Sequence, residues 1–543
     1  MLLQQLHAIQ KRDGYVSAAA LQALARRTGV PLYRLQGLVS FYPHFRLSPP
    51  PAVDIRICRD LSCFLRGAAD LHEIVRTAVA ASPLSDVSIT WTSCLGRCDQ
   101  APAVAINDHY YTEVNAQRLT ALLDTLAAGR RLRHPRLRPA PGPFACDPYR
   151  AHPPYAALRR VLQQGDPAAV LHELHESGLR GMGGAGFPTG VKWQVVREAP
   201  GDVKYVICNA DESEPGTFKD RVILQALPDL VLEGMALAAV VVGAHKAIVF
   251  VRHEYAREAE IVRRRLRQRQ AEGILAPGLL GTDYRLDFEI VLSPGGYICG
   301  EETALLEVLE DRRAEPRNKP PFPGTHGLFG KPTLINNVET FAMVPSIVLH
   351  GGAWWAAQGR NGARGLKFFA VSGHVRRPGV YEVPLGIPAA ELLERAGGIR
   401  RGLPLKAFAP GGGPSSGFLP ARMADIPLDF RTLAEAGTML GSGAVVAVAE
   451  GTCMLELALN VQRFFRQESC GKCVPCRVGT EKLVGLLERI RQGQGSRADL
   501  TLIEELAETM SLSSICGLGQ AAPAPILSVI KYFKDDILRY LAR

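Results

Sequence analysis

Residues 178–193 read GLRGMGGAGFPTGVKW, and how this run is taken decides the fold around it. Gly181, Gly183 and Gly186 match the spacing G-x-G-x-x-G. In an ordinary dinucleotide fold that spacing follows a strand, opens a helix, and is answered about 20 residues on by an acidic residue at the end of a second strand. Here the preceding VLHELHESGL carries helical spacing, and no acidic residue ends a strand at that distance. The run is therefore not read as a dinucleotide-fold opening. Consecutive glycines still let backbone amides approach a phosphate or a flat ring, and Lys192 is placed to neutralise a phosphate.

Three further polar clusters sit where strands end or loops begin: CNADESEPGTFKDR at 208–221, GGYICGEET at 295–303 and LINNVET at 334–340. Asn and Asp side chains suit the hydrogen-bonding edge of a flavin, and Glu302 is suited to accept from ribose hydroxyls and to repel a 2′-phosphate. Each residue alone is equally well a turn former or a surface carboxylate. Together with buried strands expected over 205–208, 247–251 and 288–292, they describe a cofactor-binding α/β domain over 155–360.

Two cysteine sets flank that domain. In ESCGKCVPCRVG, the two-residue gaps bring Cys470, Cys473 and Cys476 around one small centre, with Gly471 and Pro475 favouring a non-helical loop. The run lacks the nearby fourth cysteine of bacterial ferredoxins. Cys516, in SICGLG, is preferred as fourth ligand because Gly517 and Gly519 allow close backbone approach; Cys453, at the start of an apolar helix, is the other candidate. Near the N-terminus, Cys58 and Cys63 pair with Cys94 and Cys98, each pair following an expected strand, and gaps of four and three favour a [2Fe-2S] centre. Zinc bound by four cysteines shares part of both patterns. Cys146, Cys208, Cys299 and Cys453 are read as buried thiols.

The fold class is multidomain α/β. Residues 1–48 form a helical cap broken at Asp13-Gly14 and again at Gly29-Val30-Pro31. Residues 49–129 show strand, helix, strand, strand, with strands over 53–57, 87–92 and 103–106 and a helix over 67–81. The proline- and arginine-rich stretch 130–154 reads as a linker. Over 361–450, short strands (KFFAVSG, GVYEVP, GAVVAVA) surround a helix at 389–396, as in a β-grasp unit, and 451–543 is a helical bundle carrying the second cysteine set.

The formal charge of the 543-residue chain is +10, but two four-thiolate clusters and a flavin phosphate reduce it to about +4. Lys and Arg are dispersed, so no nucleic-acid partner is expected. The start, MLLQQLHAIQKRDG, lacks the features of a secretory signal, and the apolar run 230–251 holds Glu233, His245 and Lys246, which fits a core helix entering a buried strand rather than a membrane span. Twelve cysteines in this setting point to metal ligation in a reducing, cytoplasmic compartment.

These motifs together resemble the NADH-binding flavoprotein (51 kDa-type) subunit of respiratory complex I and of soluble NAD-linked dehydrogenases, over about residues 154–543. Residues 1–130 resemble the 24 kDa-type partner with its thioredoxin-like [2Fe-2S] domain, fused upstream. The resemblance implies FMN contacts at Gly181, Gly183, Gly184, Lys192, Asn209, Asp211, Glu212, Tyr297, Gly300, Glu301, Asn336 and Asn337. It implies NAD(H) contacts at Phe187, Glu214, Glu302, Lys319 and Phe322, with Glu214 and Phe187 nearest the chemistry. Met182 and Val195 replace an Arg and an aromatic common in the family.

The implied activity is a diaphorase: FMN exchanges a hydride with NAD(H), the [4Fe-4S] cluster relays electrons to a partner, and the [2Fe-2S] centre holds an electron from the flavin. Segments such as RICRDLSCFLRGA and LPARMADIPLDF most resemble the beta subunit of a molybdenum- or tungsten-dependent formate dehydrogenase. The expected partner is then a large pterin-containing catalytic subunit in a hetero-oligomer, with no direct membrane insertion. Diaphorases of NAD-reducing hydrogenases and fused complex I subunits are the alternatives, and an iron–sulfur adaptor with a decayed flavin site is a reading of another class. Electron-bifurcating relatives, which append a ferredoxin with further Cys-x-x-Cys repeats, fit less well, since none follows Cys516.

Overall fold

The computed structural model describes residues 1–135, 138 and 140–541. The part of the expected linker at 136, 137 and 139, and the last two residues of the expected bundle, lie outside them.

The cap consists of helices Leu2–Asp13, Ala18–Thr28 and Leu32–Phe41. Gly14 and Gly29 end the first two with φ of 82° and 69°, the left-handed C-cap that glycine supplies at least cost. The cap lies on the central α/β domain: Leu3 N–H donates to Asp311 at 2.9 Å, Tyr42 O–H donates to the Arg312 carbonyl at 2.6 Å, and its apolar faces share one core with Leu309 and Phe464.

The first sheet runs β2-β1-β3-β4, with β1 Val53–Cys58, β2 Val87–Thr92, β3 Ala103–Ile106 and β4 His109–Thr112. Helices Ala68–Ala80 and Ala116–Ala127 cover it, closing a small core around Ile55, Val75 and Leu119. Strand β4 and the second helix are additions to the sequence reading. The signal for β4 was the two-residue turn Asn107-Asp108, both with positive φ, joining Ile106 to His109 as a tight hairpin requires.

The central domain is a parallel sheet ordered β7-β6-β5-β8, with β5 Tyr205–Ala210, β6 Lys246–Arg252, β7 Asp287–Ser293 and β8 Thr333–Asn337. The chain thus winds β5 to β6 to β7 and returns to the far side of β5, leaving a topological switch point between β5 and β8. Ligands of such sheets bind beyond the carboxyl ends of the strands at that crevice. The sheet shares strand order with doubly wound folds, which the sequence did not indicate, but its glycine loop follows a helix and lies outside the first βα turn, as its spacing implied. LINNVET is a strand end, the close of buried β8, and runs directly into a helix.

Helix Pro228–Val242 is apolar on all sides because it is buried on all sides. It meets Lys219–Ala226 at a 94° bend, and no single helix among the described residues is long and apolar enough to cross a membrane.

The β-grasp sheet runs β10-β9-β13-β11-β12, with β9 Leu366–Gly373, β10 Gly379–Pro384, β11 Leu405–Ala409, β12 Leu419–Pro420 and β13 Ala444–Ala449 around helix Ala389–Arg395. Strand β9 pairs in parallel with β13 at the centre. The C-terminal bundle includes helices Met454–Glu468, Val474–Arg491 and Arg497–Ser513.

The second half of the linker is not free. Phe144 and Cys146 are buried, Cys146 N–H donates to Glu382 at 2.8 Å, and Tyr149 O–H donates to Glu233, so this stretch straps the β-grasp sheet to the central helices.

Candidate cofactor sites

The glycine loop leaves helix Pro167–Ser177 and enters helix Thr189–Glu198, closed at its neck by the Arg180–Pro188 bridge and by Gly181 N–H donating to the Phe187 carbonyl at 2.8 Å. Two positions require glycine. A Cβ on Gly183 would stand 3.0 Å from that of Asn337, bringing the loop onto the end of β8, while Gly184, at φ 137°, faces open space. The loop thus packs against the end of β8 on one side and leaves backbone facing open space on the other.

The switch-point walls are ordered by one another. Asn209 Nδ2 donates to the Gly300 carbonyl at 2.8 Å, and Trp193 Nε1 donates to Asn336 Oδ1 at 2.9 Å. Asn337 is held between Asp220 and the fully buried Lys219, whose ammonium also pairs with Glu339 at 3.0 Å. Asp211 accepts from Ser213 and Ser293; burial nevertheless pushes its carboxyl up to about 6. Glu212 faces inward, accepting from Asp220 N–H, Arg221 N–H and Tyr255 O–H, and burial pushes it up to about 8.

At the rim, Lys192 and Lys319 approach Glu302 at 3.4 and 3.3 Å, and Lys319 also meets Glu301 at 3.2 Å. Burial would raise Glu302, but the two ammonium groups outweigh it and hold this carboxyl below its ordinary range. Glu301 caps helix Glu302–Leu309 through Thr303 and Ala304 N–H. Phe187 and Phe322 present exposed rings, at 48% and 58%. Met182 is buried with its sulfur 3.7 Å from Lys367 Nζ, and Val195 lies against Gly324. Glu214 is buried instead, its carboxylate held by Ser415 and Ser442 of the β-grasp domain.

None of the twelve cysteines is in a disulfide. Cys58, Cys63, Cys94 and Cys98 are each no more than 4% exposed. The Cys94 and Cys98 sulfurs lie 3.4 Å apart, and the neighbouring Cys63 and Cys94 push the Cys58 thiol well above its ordinary range. Amides aim at this set: Gly96 N–H at Cys94 Sγ, 3.4 Å, and Gly216 N–H at Cys98 Sγ, 3.3 Å. Four buried thiols from two neighbouring loops, free of disulfides and with N–H donors aimed at two of them, are a donor set whose chemistry fits an iron–sulfur cluster.

The second set converges where the bundle meets the central domain. The expected loop holds from Ser469 to Cys473, which caps helix Val474–Arg491, while Cys476 lies in the first turn of that helix, with Pro475 in a position where its missing N–H costs nothing. A Cβ on Gly519 would stand 2.9 Å from that of Cys476, which brings the Cys516 turn onto the first three cysteines. Cys453 points elsewhere, its sulfur 3.7 Å from the Tyr540 hydroxyl. Burial pushes the Cys516 thiol up to about 11, so it would be held as a thiolate only with a cationic centre bound.

Several organising residues escaped sequence reading. Arg252, at the end of β6, donates to the Cys94 carbonyl at 2.6 Å and also to the Glu212 carbonyl. Glu468, two positions before Cys470, accepts from Ser93, beside Cys94, and from Tyr297 N–H at 2.7 Å. One carboxylate thus touches the surroundings of both cysteine sets and the 295–303 turn.

Comparison with known families matches residues 1–127 to the thioredoxin-like [2Fe-2S] ferredoxin, 174–346 to the Nuo51 FMN-binding domain, 368–419 to the SLBB domain and 456–540 to the NADH-ubiquinone oxidoreductase-F iron–sulfur binding region. One F subunit of the NADH-quinone oxidoreductase of Rhizobium meliloti, the second of that name, is 44% identical over 394 residues, 72% of this chain and 93% of the relative. The corresponding F subunit of Escherichia coli is 39% identical over 404 residues, 74% of this chain and 91% of the relative. A chain of the NAD+-reducing [NiFe]-hydrogenase, solved in its H2-reduced state, superposes with a TM-score of 0.89 at 34% identity, covering 99% of this chain and 93% of that one. The chain therefore belongs to the family of NADH-quinone oxidoreductase F subunits, joined to a thioredoxin-like [2Fe-2S] domain, and its cofactors are FMN, NAD(H), a [2Fe-2S] and a [4Fe-4S] cluster.

Proposed function

We propose that the chain is the NAD(H)-reactive diaphorase subunit of a cytoplasmic, multi-subunit NAD-linked dehydrogenase, working with a large pterin-containing formate dehydrogenase subunit. The observation that carries the diaphorase reading is the meeting of three sites at one junction: Gly216 of the 208–221 loop donates to Cys98, and Glu468, beside Cys470, holds Tyr297.

In this reading Gly181, Gly183 and Gly184 offer amides to the FMN phosphate and Lys192 balances its charge. Asn209, Asp211, Asn336 and Asn337 face the ring, while Glu212, Tyr297, Gly300 and Glu301 shape the pocket around them. Phe187 and Phe322 flank the nicotinamide nucleotide, Lys319 meets its phosphates, Glu302 accepts from ribose hydroxyls, and Glu214 orients the nicotinamide end. Bound FMN supplies the conversion between hydride and single-electron chemistry, and the protein's part is positioning and exclusion of water rather than an acid–base pair. Cys58, Cys63, Cys94 and Cys98 hold the [2Fe-2S] cluster, and Cys470, Cys473, Cys476 and Cys516 the [4Fe-4S] relay toward the partner.

A specific observation favours a second partner. The hydrogenase chain matches over 99% of this one, the N-terminal region included, which supports a diaphorase serving a hydrogen-oxidising subunit. Copurification with a large subunit, assayed for molybdenum or tungsten pterin against nickel, separates the two. The diaphorase reading itself is tested by adding NADH to the purified chain: the flavin absorbance should bleach, and an unbleached spectrum refutes it. Cys473→Ala should leave that bleaching intact and abolish reduction of the partner.

A further inference from the structure

The β-grasp domain carries none of the cofactor ligands assigned above, yet it touches both redox loops at once. Its glycine-rich turn over 410–417 presses on the Glu214–Thr217 segment so closely that a Cβ on Gly413 would stand 2.5 Å from the Pro215 carbonyl and closer still to Leu61. Ser415 donates to Glu214 through both its hydroxyl and its N–H, and Ser442 O–H donates to the other carboxylate oxygen at 3.0 Å. Ser442 Oγ also lies 2.8 Å from Thr217 Oγ1, and Gly216, at φ 95°, packs where a Cβ would stand 2.9 Å from Val446 on β13. On the cluster side, Ser62 Oγ lies 2.9 Å from Ser372 Oγ at the end of β9, and His374 Nε2 lies 2.9 Å from the Leu65 carbonyl. These contacts hold helix Leu61–Leu65, which bears Cys63.

We infer that Ser415 and Ser442 are positioning residues through which the β-grasp domain sets the Glu214–Thr217 loop, and with it the Gly216 N–H that meets Cys98. A buried carboxylate anchored by three donors fixes the loop's register. The amide at the other end of the loop stabilises the more negative, reduced form of a cluster ligated by Cys98. The domain thereby tunes the [2Fe-2S] centre while it orients Glu214; the latter half rests on the nicotinamide role proposed above, the former does not.

The test uses the full, cofactor-loaded chain with Ser415→Ala and Ser442→Ala combined. Both cluster potentials are followed by electron paramagnetic resonance during a redox titration, with the NADH KM and kcat measured against ferricyanide. The [2Fe-2S] midpoint should fall while the [4Fe-4S] midpoint stays, and the NADH KM should rise about tenfold with a smaller change in kcat, whereas Ser415→Thr alone, which keeps a hydroxyl at that position, should leave both at their original values. An unmoved [2Fe-2S] midpoint in a variant retaining flavin and both cluster signals overturns the inference. A lowered midpoint with an unmoved KM upholds the positioning and removes Glu214 from the nicotinamide site. Should the double variant fail to accumulate, Ser442→Ala alone, which keeps both Ser415 bonds, is read in the same way.

Discussion

Lys192 Nζ lies 3.4 Å from Glu302 Oε2, and Lys319 meets the other oxygen of the same carboxylate at 3.3 Å. The side chain that sequence reading assigned to ribose hydroxyls is therefore held ionised between two cations at the rim. A 2′-phosphate brought there meets an anion whose own counter-charges are already engaged.

Replacing Glu302 by Gln removes that repulsion and frees the two lysines. The ratio of kcat/KM for NADPH over NADH should rise at least tenfold, about 1.4 kcal/mol of discrimination. Steady-state kinetics with ferricyanide as acceptor checks this; an unchanged ratio places nucleotide selection elsewhere.

The fourth ligand of the relay cluster separates two cysteines that the sequence left in competition. Cys516 shares its surroundings with Cys476, whereas Cys453 sits beside Tyr540. Cys516→Ser should lose or strongly alter the [4Fe-4S] resonance of the reduced protein, and Cys453→Ser should keep it. The opposite pattern would exchange their roles.

What was legible in the chain was local. Three-residue steps between Cys470, Cys473 and Cys476, glycines ending the cap helices, and alternating strands and helices all act within a few residues. What escaped was non-local. Ser415 reaches Glu214 across 201 positions, Arg252 reaches Cys94 across 158, and neither carries a motif. The polar end of LINNVET marked a strand end or loop start, but nothing local said that this strand, β8, pairs in parallel with β5 at the switch point.

Glu233 links stability to pH. Buried in helix Pro228–Val242 and accepting from Tyr149 O–H and Leu158 N–H, it is pushed up by burial to about 7. The folded state therefore holds a proton that the unfolded chain releases near its ordinary value of 4.5. Stability is full below that value and is lost as pH rises through about 7, by roughly 3 kcal/mol at about 1.4 kcal/mol per unit. Glu233→Gln should flatten that decline. Urea unfolding of both proteins between pH 5 and 8 measures it, and parallel slopes would show that Glu233 does not bind the proton.

Gly184 and Gly186 distinguish a cradle from a packing joint within one loop. Gly186, at φ 64°, lies where a Cβ would stand 2.6 Å from Phe430, whose ring also carries the Arg180 guanidinium at 4.8 Å. Gly186→Ala should thus displace the first turn of helix Phe430–Glu435 and lower the thermal stability of the chain whether or not flavin is bound. Gly184, at φ 137°, has no atom within 4 Å of the position a Cβ would take. Gly184→Ala therefore costs backbone strain of about 1–3 kcal/mol but meets no neighbour, and its added methyl projects into the open space where the proposed function puts the phosphate. Flavin content per chain should drop sharply in this variant while both cluster signals persist. Full flavin stoichiometry in Gly184→Ala would mean that the loop is not the cradle, and the cofactor's phosphate would have to be sought elsewhere along the β5–β8 crevice.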